Sequence, residues 1–440
     1  MKGKLFEIGD RVLAGFLASK ADHAIVLPSQ AERLMVRFSN NRITVVQNWE
    51  TTGIDVLAVF GRKAVITRFE DVSEEGIRKG IERAVKTVPM LAESDAANEP
   101  EGTKYPDRTT SETIDPERIN DCVRCGITAA LSEGAERCAG VFTAEVRRTG
   151  LITSAGGEGY DERAAFELNI RAFSGDGSGQ GLTCRSNMGG LDPEKAGRDA
   201  GRIAHMSREA GQWSEGEYDL LLGPIILANL LERVGDASSA FIVEAGVSFL
   251  AGKVGQQVFS EGLTIEDDGT DPEGISSRSF DDEGIPTRKN LIVDSGKLVG
   301  YLHNKATAKR AGTSSTGNAG WLSPSPWNLK IAPGDISTEE MIGEMRRGVY
   351  IVSNWYTRFQ NYSTGDFSTI CRDGAFLVER GEIKYALRGV RISDNLPRIL
   401  SSVKRIGAER SWIHWWEVRT PALVPPVEVA GAKLTKAQES

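Results

Sequence analysis

The sequence predicts an α+β protein: N-terminal units of helix and antiparallel meander, then a β-rich C-terminal half. Two patterns carry this. Before residue 215, a helical period, a set of strand-like runs and a second helical period occur twice in succession. After residue 216, short apolar runs alternate with Gly, Pro, Asn and Asp turns around one apolar helix. With 440 residues and 40% apolar content, the chain is large enough for two or three cored domains.

The first round starts at Leu5 to Ala18, where apolar residues fall at helical spacing. His23 to Leu27, Leu34 to Phe38, Ile43 to Asn48, Gly53 to Phe60 and Arg62 to Arg68 read as strands. Asn40-Asn41 and Gly61-Arg62 are the turn candidates. Ser73 to Val88 returns to a helical period. Residues 93 to 113 are polar and contain Pro, as a linker or excursion does. The second round has a helix at Pro116 to Ser132 and strands at Cys138 to Thr149, Leu151 to Ala155, Glu162 to Ser174 and Gly181 to Asn187. It closes with a helix at Asp192 to Ala210. The repetition fits a duplicated unit, although identity between the rounds is weak. The expected domains are 1–215, with its excursion at 93–113, and 216–440.

Composition narrows the function classes. A formal charge of −8, with no basic cluster interleaved with aromatics, argues against nucleic acid as the main partner. Glu7 and Asp10 interrupt any apolar stretch near the start, so no signal peptide is expected. No run of about 18 apolar residues predicts a membrane span. Five Cys do not make a disulfide framework. A cytoplasmic, soluble protein is the expectation.

Several short motifs read as structural. Cys122 and Cys125 lie three apart in a predicted helix, as buried thiols do. The Gly175 to Gly181 run sits between two strand candidates and lacks Gly-Lys-Ser/Thr, so a hairpin loop is expected. Asp267-Asp268-Gly269-Thr270 lacks the further oxygens that calcium needs and reads as a turn. His23, His205, His303 and His414 are too scattered to suggest a His-based metal site, and no Gly-x-Ser-x-Gly elbow is present.

The most informative stretch is Tyr218 to Thr270. A short strand, Tyr218 to Leu222, turns at Gly223-Pro224 into an apolar helix carrying Leu231-Glu232-Arg233-Val234-Gly235-Asp236. A Gly-punctuated segment then ends in Asp267 to Thr270. Downstream come Phe280-Asp281-Asp282-Glu283-Gly284, Asn290 to Leu298, Tyr301-Leu302-His303-Asn304-Lys305, Ser315-Thr316-Gly317-Asn318 and Asp373 to Tyr385. In this order the segments resemble the TldD/TldE (PmbA) peptidase family. The resemblance covers residues 218 to 430 well and the first 215 loosely. It implies a barrel-like C-terminal domain.

In the zinc-bearing branch of that family the helix reads His-Glu-x-x-x-His, and a C-terminal Cys supplies the third ligand. Here Leu231 and Asp236 stand at the His positions, Glu232 at the Glu and Arg419 at the Cys. A hydrolytic zinc needs three protein ligands and one open position for water. A hydrocarbon, a lone acid and a guanidinium do not provide them. The resemblance therefore implies a zinc-less, TldE/PmbA-type subunit with no catalytic residue, metal or cofactor of its own. Zinc would sit in a TldD-type partner carrying His-Glu-x-x-x-His. Residues five apart on a helix point roughly 140° apart, so a shared metal needs a bend, and Gly235 is the expected place for it.

Six of the eight Trp lie in the C-terminal half, a richness that suits an interface or a peptide-lined chamber. Asn318, Trp321, Trp327, Trp355 and His303 are the candidates for lining it. The expected function is that of a non-catalytic subunit of a peptidase complex acting on small or unfolded peptides. Two alternatives stay open: an independent metal-dependent peptidase with a rearranged site, and a homodimeric peptide-binding protein.

Overall fold

The computed structural model describes residues 2–437. Helix α1 (Lys2–Ala18) leads into strands β1 (His23–Ser39), β2 (Arg42–Phe60) and β3 (Lys63–Phe69), then helix α2 (Glu74–Thr87). The order repeats as α3 (Pro116–Ser132), β4 (Arg137–Thr153), β5 (Glu158–Ser174), β6 (Gly177–Arg185) and α4 (Pro193–Met206). All six strands form one antiparallel sheet in the order β3-β2-β1-β4-β5-β6. The two rounds therefore meet through their first strands, β1 and β4.

The predicted short strands merge here. His23 to Leu27 and Leu34 to Phe38 are one strand, as are Ile43 to Asn48 and Gly53 to Phe60. The polar stretch between them breaks the apolar alternation but not the ladder: Pro28 pairs with Ile54 and Glu32 with Glu50. The chain reverses at Asn40 and Asn41, whose φ angles of 49° and 66° suit a two-residue hairpin turn. Cys138 to Thr149 and Leu151 to Ala155 likewise fuse into β4.

The two-residue period sorts the sheet's faces. Val26, Leu34, Val36, Phe142, Val146, Phe166 and Leu168 face the helices and form the apolar cores there. Ser29, Arg33, Glu145, Arg147, Arg163 and Glu167 alternate with them and line cavities on the other side. The Gly175 run is a hairpin followed by a strand that lies flat under α4. A Cβ on Gly177, Gly179 or Gly181 would meet the carbonyl oxygens of Ala204, Ala200 or Ala196 at 2.3 Å or less.

The C-terminal part begins with β7 (Gly216–Leu222), α5 (Pro224–Ala237), α6 (Ala240–Glu244), β8 (Ile265–Asp268), β9 (Lys289–Asp294) and β10 (Lys297–Leu298). Then come α7 (Lys305–Ala311), β11 (Leu329–Ile331), α8 (Thr338–Glu344), β12 (Arg347–Asn361), β13 (Asp366–Glu379), β14 (Glu382–Ala386) and β15 (Val390–Asn395). The chain finishes with α9 (Leu396–Ser401), β16 (Val403–Ile406), β17 (Ser411–Trp415), β18 (Val418–Val424) and β19 (Val427–Lys436). Strands β12-β7-β19-β15-β13 close into a five-stranded barrel through the β12–β13 pairing. A second sheet, β10-β9-β8-β11-β18-β17, flanks it, and the largest apolar core joins the two with α5 among its members. The α+β class and the barrel-like C-terminal domain are as the sequence and its resemblance predict.

Candidate functional site

Helix α5 carries Leu231, Glu232 and Asp236. It is apolar nearly all round, as a helix between two sheets must be, and only Pro224, Arg233 and Asp236 escape full burial. Leu231 is 2% exposed and belongs to the main core. Glu232 is 4% exposed, so its charge requires compensation. Its Oε1 accepts the backbone N–H groups of Arg419 at 2.7 Å and Thr420 at 3.0 Å, at the start of β18. Its Oε2 accepts from Arg233 at 2.7 Å, and Arg233 also pairs with Asp236 at 2.9 Å. The four positions singled out in the sequence are thus brought together by α5 and β18.

The donor set does not fit zinc. Leu231 offers no ligand, both Glu232 oxygens are engaged, and Asp236 is a single acid already paired with a guanidinium. Desolvation holds the Asp236 carboxyl above its usual range, against the pull of Arg233 and Arg419, although the side chain keeps 54% exposure. Among the described residues no group of three or more His, Cys, Asp or Glu could hold a metal ion.

Helix α5 runs through Gly235 to Ala237 without a break. The α-helical hydrogen bonding continues past it, with Ser238 N–H donating to the Val234 carbonyl at 2.9 Å. The glycine is there for close packing instead: a Cβ would meet Leu329 Cδ1 at 2.7 Å and Pro326 Cγ at 3.1 Å.

Where α5 ends, a cavity of about 500 Å³ opens. Arg233 and Asp236 stand at its polar side, with Phe249, Pro326, Phe359 and Tyr362 supplying apolar wall. Phe359 and Tyr362 stack with ring centroids 5.2 Å apart, and Tyr362 is 59% exposed. Such a mostly apolar recess with a few convergent polar groups is the usual form of a small-ligand or peptide site.

The sequence matches the PmbA/TldA metallopeptidase C-terminal domain over residues 215–436. The chain belongs to this family. Domain 1 of the PmbA/TldA metallopeptidases matches residues 29–88, and the central domain 109–208. A metalloprotease of Methanothermobacter thermautotrophicus is 30% identical over 263 residues, 57% of each chain. The metalloprotease PmbA of Escherichia coli is 30% identical over 248 residues, 54% of this chain and 51% of that one. The chain thus spans about half the length of these curated relatives. Among solved structures, TldE of Thermococcus kodakarensis shares the fold with a TM-score of 0.85 at 21% identity, covering 97% of this chain and all 100% of that one.

Within this PmbA/TldD-type fold, Asn318 and Trp327 meet on the carboxylate of Asp267, while Trp321 and Trp355 line two separate cavities. Asn318 is 1% exposed and tied to Asp267 (2.6 Å), Asn290 (2.9 Å) and the Ser325 carbonyl (3.1 Å). It organises the loop before β11. His303 is 8% exposed, with Nδ1 3.2 Å from Thr307 Oγ1, and burial lowers its pKa. Trp327 donates to the Gly317 carbonyl at 2.8 Å and stacks on Arg278, a structural role. Trp321 lines a cavity against the N-terminal sheet, and Trp355 another beside Trp415 and Trp416. Sequence reasoning passed over Tyr362 and Phe249. The only signal for Tyr362 was its place at the end of the aromatic-rich Trp355 to Phe359 run.

Two further motifs resolve as structure. Asp268 accepts from Thr270 and pairs with Lys330 at 2.8 Å, so an ammonium fills the place a cation would take. Cys122 and Cys125 are free thiols on α3, half-buried rather than buried as expected, because they sit at the edge of its apolar face.

Proposed function

We propose that this chain is the non-catalytic subunit of a two-subunit peptidase, working in the cytoplasm on small or unfolded peptides with a zinc-bearing, TldD-type partner. The observation that carries this reading is the structural use of Glu232. In a zinc peptidase of this kind that carboxylate would stand free to activate water. Here it holds two backbone N–H groups of β18 and the Arg233 guanidinium.

Membership of a metallopeptidase family supports a role in proteolysis. The apolar cavity at the end of α5 supports peptide binding there, with backbone hydrogen bonds giving sequence-tolerant capture. The outer edge of β2 supports a partner-facing role for the N-terminal sheet. Strand β3 covers only Ile54 to Phe60, and Val45, Val46 and Trp49 on the uncovered part are 44%, 52% and 37% exposed. Five free cysteines suit a reducing compartment.

Metal analysis and peptidase assay of the purified chain test the reading. Alone, it is expected to carry no stoichiometric zinc and to leave peptides intact. Mixed with a family member bearing His-Glu-x-x-x-His, it is expected to form a complex that cleaves them. Tightly held zinc together with amide hydrolysis by the isolated chain would overturn the proposal.

A further inference from the structure

Arg163 of β5 stands directly opposite Arg147 of β4 in the antiparallel register. Like charges in that position repel. Both belong to the sheet face turned away from the helices, and Arg278, from the loop between β8 and β9, joins them around one cavity of about 220 Å³. Ser29, Thr149 and Trp321 complete much of its wall. A second cavity of about 300 Å³ adjoins the first at Arg163.

The carboxylates around the cavity have partners other than Arg163. Glu145 lies between Arg33 at 2.5 Å and Arg147 at 2.8 Å. Asp161 accepts from the Ser279 N–H and hydroxyl at 2.9 and 3.0 Å. Asp282 holds Arg278 at 2.9 Å, and Asp55 holds Arg68 at 2.6 Å. Arg278 is fixed by the rings of Phe280 and Trp327, at 5.6 and 5.2 Å from its guanidinium carbon. Arg163 alone has no ion pair and no side-chain hydrogen bond among the described residues. The side chain lines both cavities. Burial, then Arg278 and Arg147, push its pKa down to about 10, against the weaker pull of Glu145 and Asp161.

We propose that Arg163, backed by Arg147 and Arg278, is a carboxylate-binding site, and that its occupant is the C-terminal carboxylate of a bound peptide. A planar carboxylate matches the guanidinium fork. A dianion is less suited, because Asp55, Asp161 and Asp282 line the same cavity. That the carboxylate belongs to a peptide rests on the reading under Proposed function; the anion site itself does not.

The test uses the full chain. Melting temperatures are measured in acetate, phosphate and chloride at equal ionic strength for the parent, Arg163→Gln, and Arg62→Gln, the last at an 81% exposed arginine as control. Acetate is expected to raise the melting temperature of the parent and of the control but not of Arg163→Gln. In chloride Arg163→Gln is expected to melt no lower than the parent, because a repulsion has been removed. Arg163→Lys, which keeps the charge, is expected to retain part of the acetate response. Calorimetry with a tripeptide as free acid and as amide then identifies the occupant. The free acid is expected to bind the parent about tenfold or more tighter than the amide, the size of one charge-assisted hydrogen bond, with no difference in Arg163→Gln.

An acetate response that survives in Arg163→Gln, or is absent in the parent, overturns the site. Stronger stabilisation by phosphate than by acetate, or equal binding of acid and amide, overturns the peptide carboxylate as occupant. If neither peptide binds while the acetate response still depends on Arg163, the site stands and the peptide reading falls.

Discussion

The carboxylate of Glu232 accepts the backbone N–H of Arg419 at 2.7 Å, joining two residues 187 positions apart. One belongs to α5 and the other to the start of β18, the two segments where the resemblance places a metal motif and its third ligand. The contact pins the start of β18 to α5 and uses up the carboxylate in doing so. A buried carboxylate with two N–H donors and one guanidinium is satisfied and rigid.

Glu232→Ala is therefore expected to destabilise the chain by about 3 kcal/mol, since it leaves two backbone donors and Arg233 without their acceptor. Glu232→Gln, whose oxygen can still accept both N–H groups, is expected to cost less than half as much. Urea unfolding followed by circular dichroism measures both. Equal losses would show that charge rather than acceptance at Oε1 is what matters.

Gly235→Ala separates two roles of that glycine. If it served only as a point of bending, alanine in the continuous helix would stabilise by up to about 1 kcal/mol. The 2.7 Å approach of Leu329 Cδ1 predicts the opposite, a loss of about 1–3 kcal/mol from overpacking. A denaturation midpoint above that of the parent would sink the packing account.

Stability is expected to fall as pH rises from 5 to 7.5. Burial lifts Asp267 to about 7, Asp281 to about 6 and Glu283 to about 7, above their ordinary carboxylate values. A group less acidic when folded than when unfolded contributes stability fully below its unfolded pKa and loses it as pH climbs through the folded one. Melting curves across this window give the sign. A rise with pH would mean that the three N–H donors on Asp267 keep it ionised.

Tyr362→Ala is expected to weaken peptide capture in the α5 cavity several-fold and leave the melting temperature within about 1–2 °C, since most of this side chain is open to solvent. Fluorescence anisotropy with a labelled unfolded peptide checks it. Unchanged affinity would move the binding site elsewhere.

Much of the architecture was legible. The helix and meander periods at Leu5 to Ala18 and Pro116 to Ser132, and the Asn40-Asn41 turn, follow from local spacing and backbone preference, which a chain carries with it. Strand lengths were not legible. Pro28 to Arg33 and Trp49 to Thr52 extend because neighbouring strands supply the hydrogen bonds, against their own weak pattern. Local spacing is equally silent on which polar residues meet: Asn318 is held by Asp267 of β8, 51 positions away, and His303 by Thr307 of α7.

By itself the sequence determined the residue types on α5, and so the absence of a ligating atom at Leu231. That is covalent chemistry, and folding does not alter it. Only the tertiary structure decided that Glu232 would spend its oxygens on β18, that Gly235 would sit against Leu329, and that Arg163 would face Arg147 with no acid to answer it. Those outcomes depend on strand register and on packing between segments far apart in the chain, and neither is encoded in any local stretch.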